Sequence, residues 1–281
     1  MIPNTSPVYK ELESAAKNAK AVVISGMPGV GKSLYINQFK DIALQLEREV
    51  IVIQWDVARK AFETPEIAKR FPTGDGEVHN GLKLSVGKWL VDTFVEWIAA
   101  NKEGNGLLLI EAPLVGHRFV ELMHKQSDKN LENILTSDDF QVIVPIPSKE
   151  IRHKIEQDRN AQVSENAKDW SGAKPSVMLL LWKEICGIAN EMGKTIPMDG
   201  QPPYDPDIYK FVFGEILKHR HFKALYIDEI FPVTISDEKE LHECGSIQPD
   251  SITANHYARI VMNEHITNDS IDTIVNGWYK T

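Results

Sequence analysis

Short runs of apolar, often β-branched residues alternate along the chain with longer stretches of helical spacing. Ala21–Ser25 (AVVIS), Val50–Trp55, Leu107–Ile110, Gln141–Ile146 and Lys223–Ile230 read as strands. Val50–Trp55 is continuously apolar rather than alternating, as a strand covered on both faces is. Helical patterns fit Leu34–Glu49, Leu82–Asn101, Gly116–Lys125, Lys149–Ala167, Ser176–Gly193 and Asp205–Lys218. This order predicts an α/β fold: a parallel sheet of about five strands with helices on both faces. Pieces around Thr253–His265 and Ser270–Trp278 predict a helical C-terminal tail. No composition shift marks a second domain, so residues 1–281 read as one domain. Phe71–Gly81 and Thr195–Pro206, rich in Gly and Pro, read as loops. Trp89, Leu90, Phe94, Trp97 and Ile98 on the long helix read as core.

Composition narrows the class. The 281 residues are 42% hydrophobic and 25% charged, an ordinary globular balance. The formal net charge of -9, with no basic stripe, argues against a general nucleic-acid binder. Two cysteines, Cys186 and Cys244, cannot form a disulfide framework and read as reduced thiols. The longest apolar run, Val177–Trp182, falls far short of the ~20 residues of a spanning helix. The first residues lack the apolar core of a signal peptide. A cytoplasmic protein with no membrane partner is the expectation.

The strongest chemical signal follows the first strand. Gly26-Met27-Pro28-Gly29-Val30-Gly31-Lys32-Ser33 fits G-x-x-x-x-G-K-[ST] between a strand and a helix. Glycines let successive backbone N–H groups turn inward as an anion nest, and the helix adds its positive end. Lys32 suits the β- and γ-phosphates, and the Ser33 hydroxyl suits Mg2+. Lys32 is expected to face solvent, unpaired, without ligand. Through this motif the chain resembles the P-loop NTPase superfamily. The resemblance implies the P-loop NTPase fold, a nucleoside triphosphate and Mg2+. With no Asn-Lys-x-Asp guanine signature, and a third strand ending Glu-Ala-Pro, ATP is favoured over GTP.

The acids separate a kinase from an ATPase. Asp56 follows the second strand, and open α/β sheets bind ligands outside the carboxyl ends of their strands. In this it resembles small-molecule and nucleoside- or nucleotide-type P-loop kinases, where such an acid holds or deprotonates the acceptor hydroxyl. The bland reading of Asp56 is a helix N-cap. By the same resemblance Arg59 is a substrate contact. Glu111 ends the third strand and suits the Mg2+ shell. Arg118 is placed near the cleft, while the neighbouring His117 reads as a solvated or capping histidine. Asp75, Glu77, His79 and Asn80 are further candidate acceptor contacts.

Residues 149–173 resemble the lid of such kinases, with Arg152 and Arg159 seven apart on one helix face and aimed at the phosphates. The competing signal is Leu225-Tyr226-Ile227-Asp228-Glu229, which resembles the acidic strand of ATPases. It stands late in the chain, with no convincing further strand after it. The expected function is therefore ATP-dependent phosphoryl transfer to a small hydroxyl-bearing acceptor. The alternative is a P-loop ATPase or nucleotide switch using Asp228 and Glu229. Tyr204 and Tyr209 have no assignable role.

Overall fold

The structure, a computed structural model, describes residues 2–74, 78–165 (the side chains of 159–165 excepted), 175–231, 245–265 and 267–280. Its centre is a parallel sheet. The strands are β1 (Ala21–Ser25), β2 (Val50–Gln54), β3 (Leu107–Ala112), β4 (Phe140–Pro147), β5 (His221–Ile227) and β6 (Gly245–Ser246). They lie in the order β5-β4-β1-β3-β2-β6, and every pairing is parallel. The sequence predicts about five strands, and among the described residues the sheet has six. The extra one has two residues, too short for any period to reveal, and it pairs the outer edge of β2 at Ile51 and Val52.

Alternation along each strand divides the core between two faces. Val22 and Ile24 of β1, Leu107 and Leu109 of β3 and Val52 of β2 pack on one side. That side is covered by α1 (Pro7–Asn18) and α2 (Lys32–Gln45). Ala21 and Val23, Leu108 and Ile110, and Val142 and Val144 pack on the other side. There the cover comes from α5 (Asn80–Ala100), α8 (Pro175–Glu191) and α9 (Pro206–Ile216). The tail forms α10 (Ser251–Glu264) and α11 (Asn268–Asn276), both lying against α5. Three short helices follow β2 or precede β4: α3 (Trp55–Ala58), α4 (Pro65–Ala68) and α6 (Lys129–Leu135). The helix α7 (Lys149–Glu165) follows β4.

One predicted helix does not form. After β3, residues Gly116–Lys125 make an irregular loop with a Leu114–Arg118 bridge and a single 3-10 turn at Glu121–Met123. Leu114, His117 and Phe119 all have φ between 60 and 65°, the left-handed region. Apolar spacing suggests helix here because Leu114, Phe119, Val120, Leu122 and Met123 are all buried. The loop buries them without winding, which spacing alone does not separate from a helix.

The entry to β3 is pinned by one buried guanidinium. Arg48 donates to the carbonyls of Ala16, Ala19 (2.7 Å), Gly106 (2.6 Å) and Asn105 (3.2 Å). It therefore joins the end of α1 to the residues before β3. Each charged hydrogen bond contributes more than a neutral one, and removing the donor leaves carbonyls without a partner. Arg48→Met should lower the unfolding free energy by about 3 kcal/mol, read from urea denaturation. A loss below the noise would show that these carbonyls are equally well solvated without it.

Candidate functional site

The connections leaving β1 and its neighbour β4 run to opposite sides of the sheet. Such a reversal opens a crevice at the carboxyl ends of the strands. The glycine-rich turn Gly26–Gly31 sits there, between β1 and α2. Gly26, Gly29 and Gly31 have φ of 128, 87 and 91°, values that other L-residues rarely adopt. Gly31 is the N-cap of α2, so that helix start has no side-chain cap. Backbone amides there, at the positive end of a helix, can hold an anion. Ser33 is exposed in the first turn.

Lys32 corrects the expectation. It is buried, and its Nζ donates to the carbonyls of Gly26 (3.1 Å) and Met27 (3.3 Å). The ammonium thus folds back onto two consecutive carbonyls of the turn that precedes it.

Glu111 lies one strand away from the turn. It is in register with Ile24 of β1 and Gln54 of β2. By alternation it faces the α2 side, with Leu107 and Leu109. Its carboxylate accepts from Gln54 Nε2 at 2.8 Å. The Ser33 hydroxyl and the Glu111 carboxylate are oxygens of the kind a divalent cation takes.

Asp56 stands beyond β2 in the first turn of α3, where it does not cap: the N-cap is Gln54. Its side chain is 77% exposed and accepts from Arg59 Nε at 3.2 Å, and Arg59 also pairs with Glu63. Arg118 is mostly buried, and its Nε has no hydrogen-bond partner. Burial lowers its pKa, the charges of Asp56 and Glu184 act against that, and Arg59 adds to it. Asp56, Arg59, Arg118 and Glu184 therefore form one electrostatic group. Glu184 also lines a cavity of about 430 Å³ with Lys83, Gly116, Gly187 and Glu191. A larger cavity, about 880 Å³, lies away from the turn, between α5 and α10.

Arg152 follows β4 and is 1% exposed. Its Nε donates to Glu156 Oε1 at 2.7 Å, and its guanidinium lies 5.5 Å above the Tyr204 ring. Nη1 and Nη2 are buried with no partner. A buried cation with idle donors is costly unless an anion meets them. Arg152 is thus a fixed, packed residue at the base of a helix, where the sequence suggests part of a lid. The side chain of Arg159 lies outside the described residues, as do residues 166–173 of the expected lid.

Several other candidates make contacts within the fold. His79 accepts from the Gly81 N–H at the start of α5 and stacks on Phe71 at 5.1 Å. Asn80 donates to Asp272 of α11 at 2.8 Å. Asp75 and Glu77 lie outside the described residues. His117 is neither solvated nor a cap: it is 2% exposed and lies 2.9 Å from Glu121 Oε1. Asp228 and Glu229 follow β5, two strands from β1 on the far side of β4, and Glu229 accepts from Ser6 Oγ at 3.4 Å.

Sequence reasoning missed Tyr209. Its hydroxyl accepts the Met27 N–H at 2.9 Å, so a residue of α9 touches the glycine-rich turn directly. Only a buried tyrosine on an apolar helix face signals it, and that pattern is common in cores.

Among the described residues no helix is long and apolar enough to cross a membrane. No protein-family model matches the chain, and no curated protein matches it. A solved structure from the PezAT chromosomal toxin-antitoxin system of Streptococcus pneumoniae is similar over 92% of this chain and 97% of that one. The identity is 12% and the TM-score 0.30, too loose a likeness to carry an argument.

The Lys32 contacts give a direct expectation. Lys32→Met keeps the stem and removes the ammonium from two carbonyls, at a cost of about 1 kcal/mol without ligand. A thermal melt should fall by roughly 2–4 °C. An unchanged or raised melting temperature would contradict a carbonyl-bound lysine.

Proposed function

We propose that this chain has a P-loop NTPase fold and transfers a phosphoryl group from MgATP to the hydroxyl of a small acceptor. The observation that carries the reading is a row of groups along the carboxyl edge of the sheet. The glycine-rich turn follows β1, Glu111 stands on adjacent β3, Asp56 follows β2, and Arg152 follows β4 with two idle donors. A helix start with no side-chain cap and a buried, under-used guanidinium both suit an anion, so the residues present fit a nucleotide phosphate.

MgATP supplies the phosphoryl group and the metal charge that screens it. The backbone N–H groups of Gly29, Val30, Gly31, Lys32 and Ser33 hold the phosphates. Lys32 leaves the Gly26 and Met27 carbonyls to meet them. Ser33 and Glu111 hold the metal. Arg152, with Arg159 one face along the same helix, draws charge from the transferring group. Asp56 holds the acceptor hydroxyl and takes its proton, with Arg59 and Arg118 orienting the acceptor beside the Glu184 cavity. Positioning and charge stabilisation do most of the work, because phosphoryl transfer needs little covalent help.

The ATPase alternative relies on Asp228 and Glu229. Their place after an edge strand, two strands from β1, supports it less well than Glu111 supports the kinase reading.

Paired variants separate the two readings. MgATP is incubated with a metabolite mixture, and acceptor labelling and ATP loss are followed by 31P NMR and mass spectrometry. Asp56→Asn should lower acceptor phosphorylation by roughly 10²–10⁴-fold, the size of a general-base contribution, with ATP binding retained. Glu229→Gln should leave the rate near wild type. A strong defect in Glu229→Gln beside a mild one in Asp56→Asn would reverse the assignment in favour of an ATPase.

A further inference from the structure

We propose that Tyr209 is a positioning residue for the glycine-rich turn: it clamps the Gly26–Met27 peptide while Lys32 is engaged elsewhere. The inference rests on reading the turn as a phosphate site and adds a part to it.

Both polar ends of a single peptide unit are held. The Gly26 carbonyl accepts from Lys32 Nζ at 3.1 Å, and the Met27 N–H donates to Tyr209 Oη at 2.9 Å. The unit needs holding, because Gly26, at φ 128°, has no Cβ to restrain rotation of the peptide. A side chain at Gly26 would also sit 2.7 Å from Tyr209 Oη, so glycine and tyrosine are fitted to one another.

The clamp is rigid. Tyr209 is fully buried and lies 4.7 Å from Phe213, 6.0 Å from Tyr204 and 6.5 Å from Trp182, ring to ring. Two of these neighbours are themselves tied down: Tyr204 donates to the Pro147 carbonyl at 3.0 Å and Trp182 to that of Pro202 at 2.9 Å. Burial raises the Tyr209 pKa, against the Met27 bond and the Arg152 charge, so the hydroxyl stays neutral.

The two holds differ in what phosphate does to them. When the Lys32 ammonium turns to a phosphate, the Gly26 carbonyl loses its donor and the Tyr209 bond becomes the one described hold on that peptide. Tyr209 also neighbours the Tyr204 ring, over which the Arg152 guanidinium lies. The hydroxyl therefore matters more with nucleotide bound than without it.

The test is MgATP binding by calorimetry and Met27 amide exchange by NMR, on wild type, Tyr209→Phe and Phe213→Leu. Tyr209→Phe removes only the hydroxyl and should weaken MgATP severalfold, up to the roughly tenfold worth of one buried hydrogen bond, because the bond matters more once Lys32 has left the Gly26 carbonyl. Phe213→Leu loosens the same packing with the hydroxyl kept. It should lower the melting temperature and leave the dissociation constant within about twofold. In wild type the Met27 amide should exchange slowly with and without MgATP. Wild type that does not bind MgATP overturns the phosphate reading beneath the inference. Wild-type binding with an unchanged constant in Tyr209→Phe overturns the inference alone. So does an equal loss in Phe213→Leu, which would mark the role as packing. Fast Met27 exchange in wild type also overturns it, whether or not Tyr209→Phe folds.

Discussion

The turn from β1 into α2 must satisfy opposing demands. β1 is buried along its whole length at the centre of the sheet, and α2 buries Tyr35, Ile36 and Phe39 against it. The chain therefore has to reverse within a few residues, in left-handed conformations that glycine tolerates. Yet the turn supplies no side-chain oxygen to the first amides of α2. A glycine N-cap in place of a side-chain cap forgoes roughly a few tenths of a kcal/mol. Lys32 folded on the turn's carbonyls and Tyr209 on its amide hold the turn in this shape, while the idle guanidinium of Arg152 on the β4 side adds a cost of its own.

The architecture was largely legible because long-range periodicity carries it. The β1–β5 segments and the helices α5, α7, α8 and α9 stand close to where their patterns predict. Short elements were not. α4 and α6 have four and seven residues, too few for a helical period to repeat. α1 starts with a Ser6 cap and a proline in its first turn, local signals that mark its start without a long apolar period. The Gly116–Lys125 error has a different origin. Burial set the spacing there, and strained backbone, not helix, delivered the burial.

The candidate site was legible in its types and less so in its states. The turn's glycines, Glu111 and Asp56 stand where strand ends and motif spacing put them. The burial and partners of the residues around them depend on three-dimensional neighbours. Nothing local tells that Arg152 is 1% exposed over Tyr204, or that Lys32 is satisfied by backbone. Tyr209 reaches the turn from a helix that precedes the last long strand of the sheet, and no sequence spacing links the two. Arg118 sits on an irregular loop where spacing predicts a helix, and that loop carries it within electrostatic range of Asp56.

The central claim is that the turn between β1 and α2 holds phosphate. The most direct measurement is a backbone amide NMR titration of the whole chain with MgADP. The account predicts that the largest shifts fall on Gly29, Gly31, Lys32 and Ser33, and that the Arg152 guanidinium resonances shift with them. Saturable shifts confined to α5 and α10, around the 880 Å³ cavity, would contradict it, as would no shift at the turn.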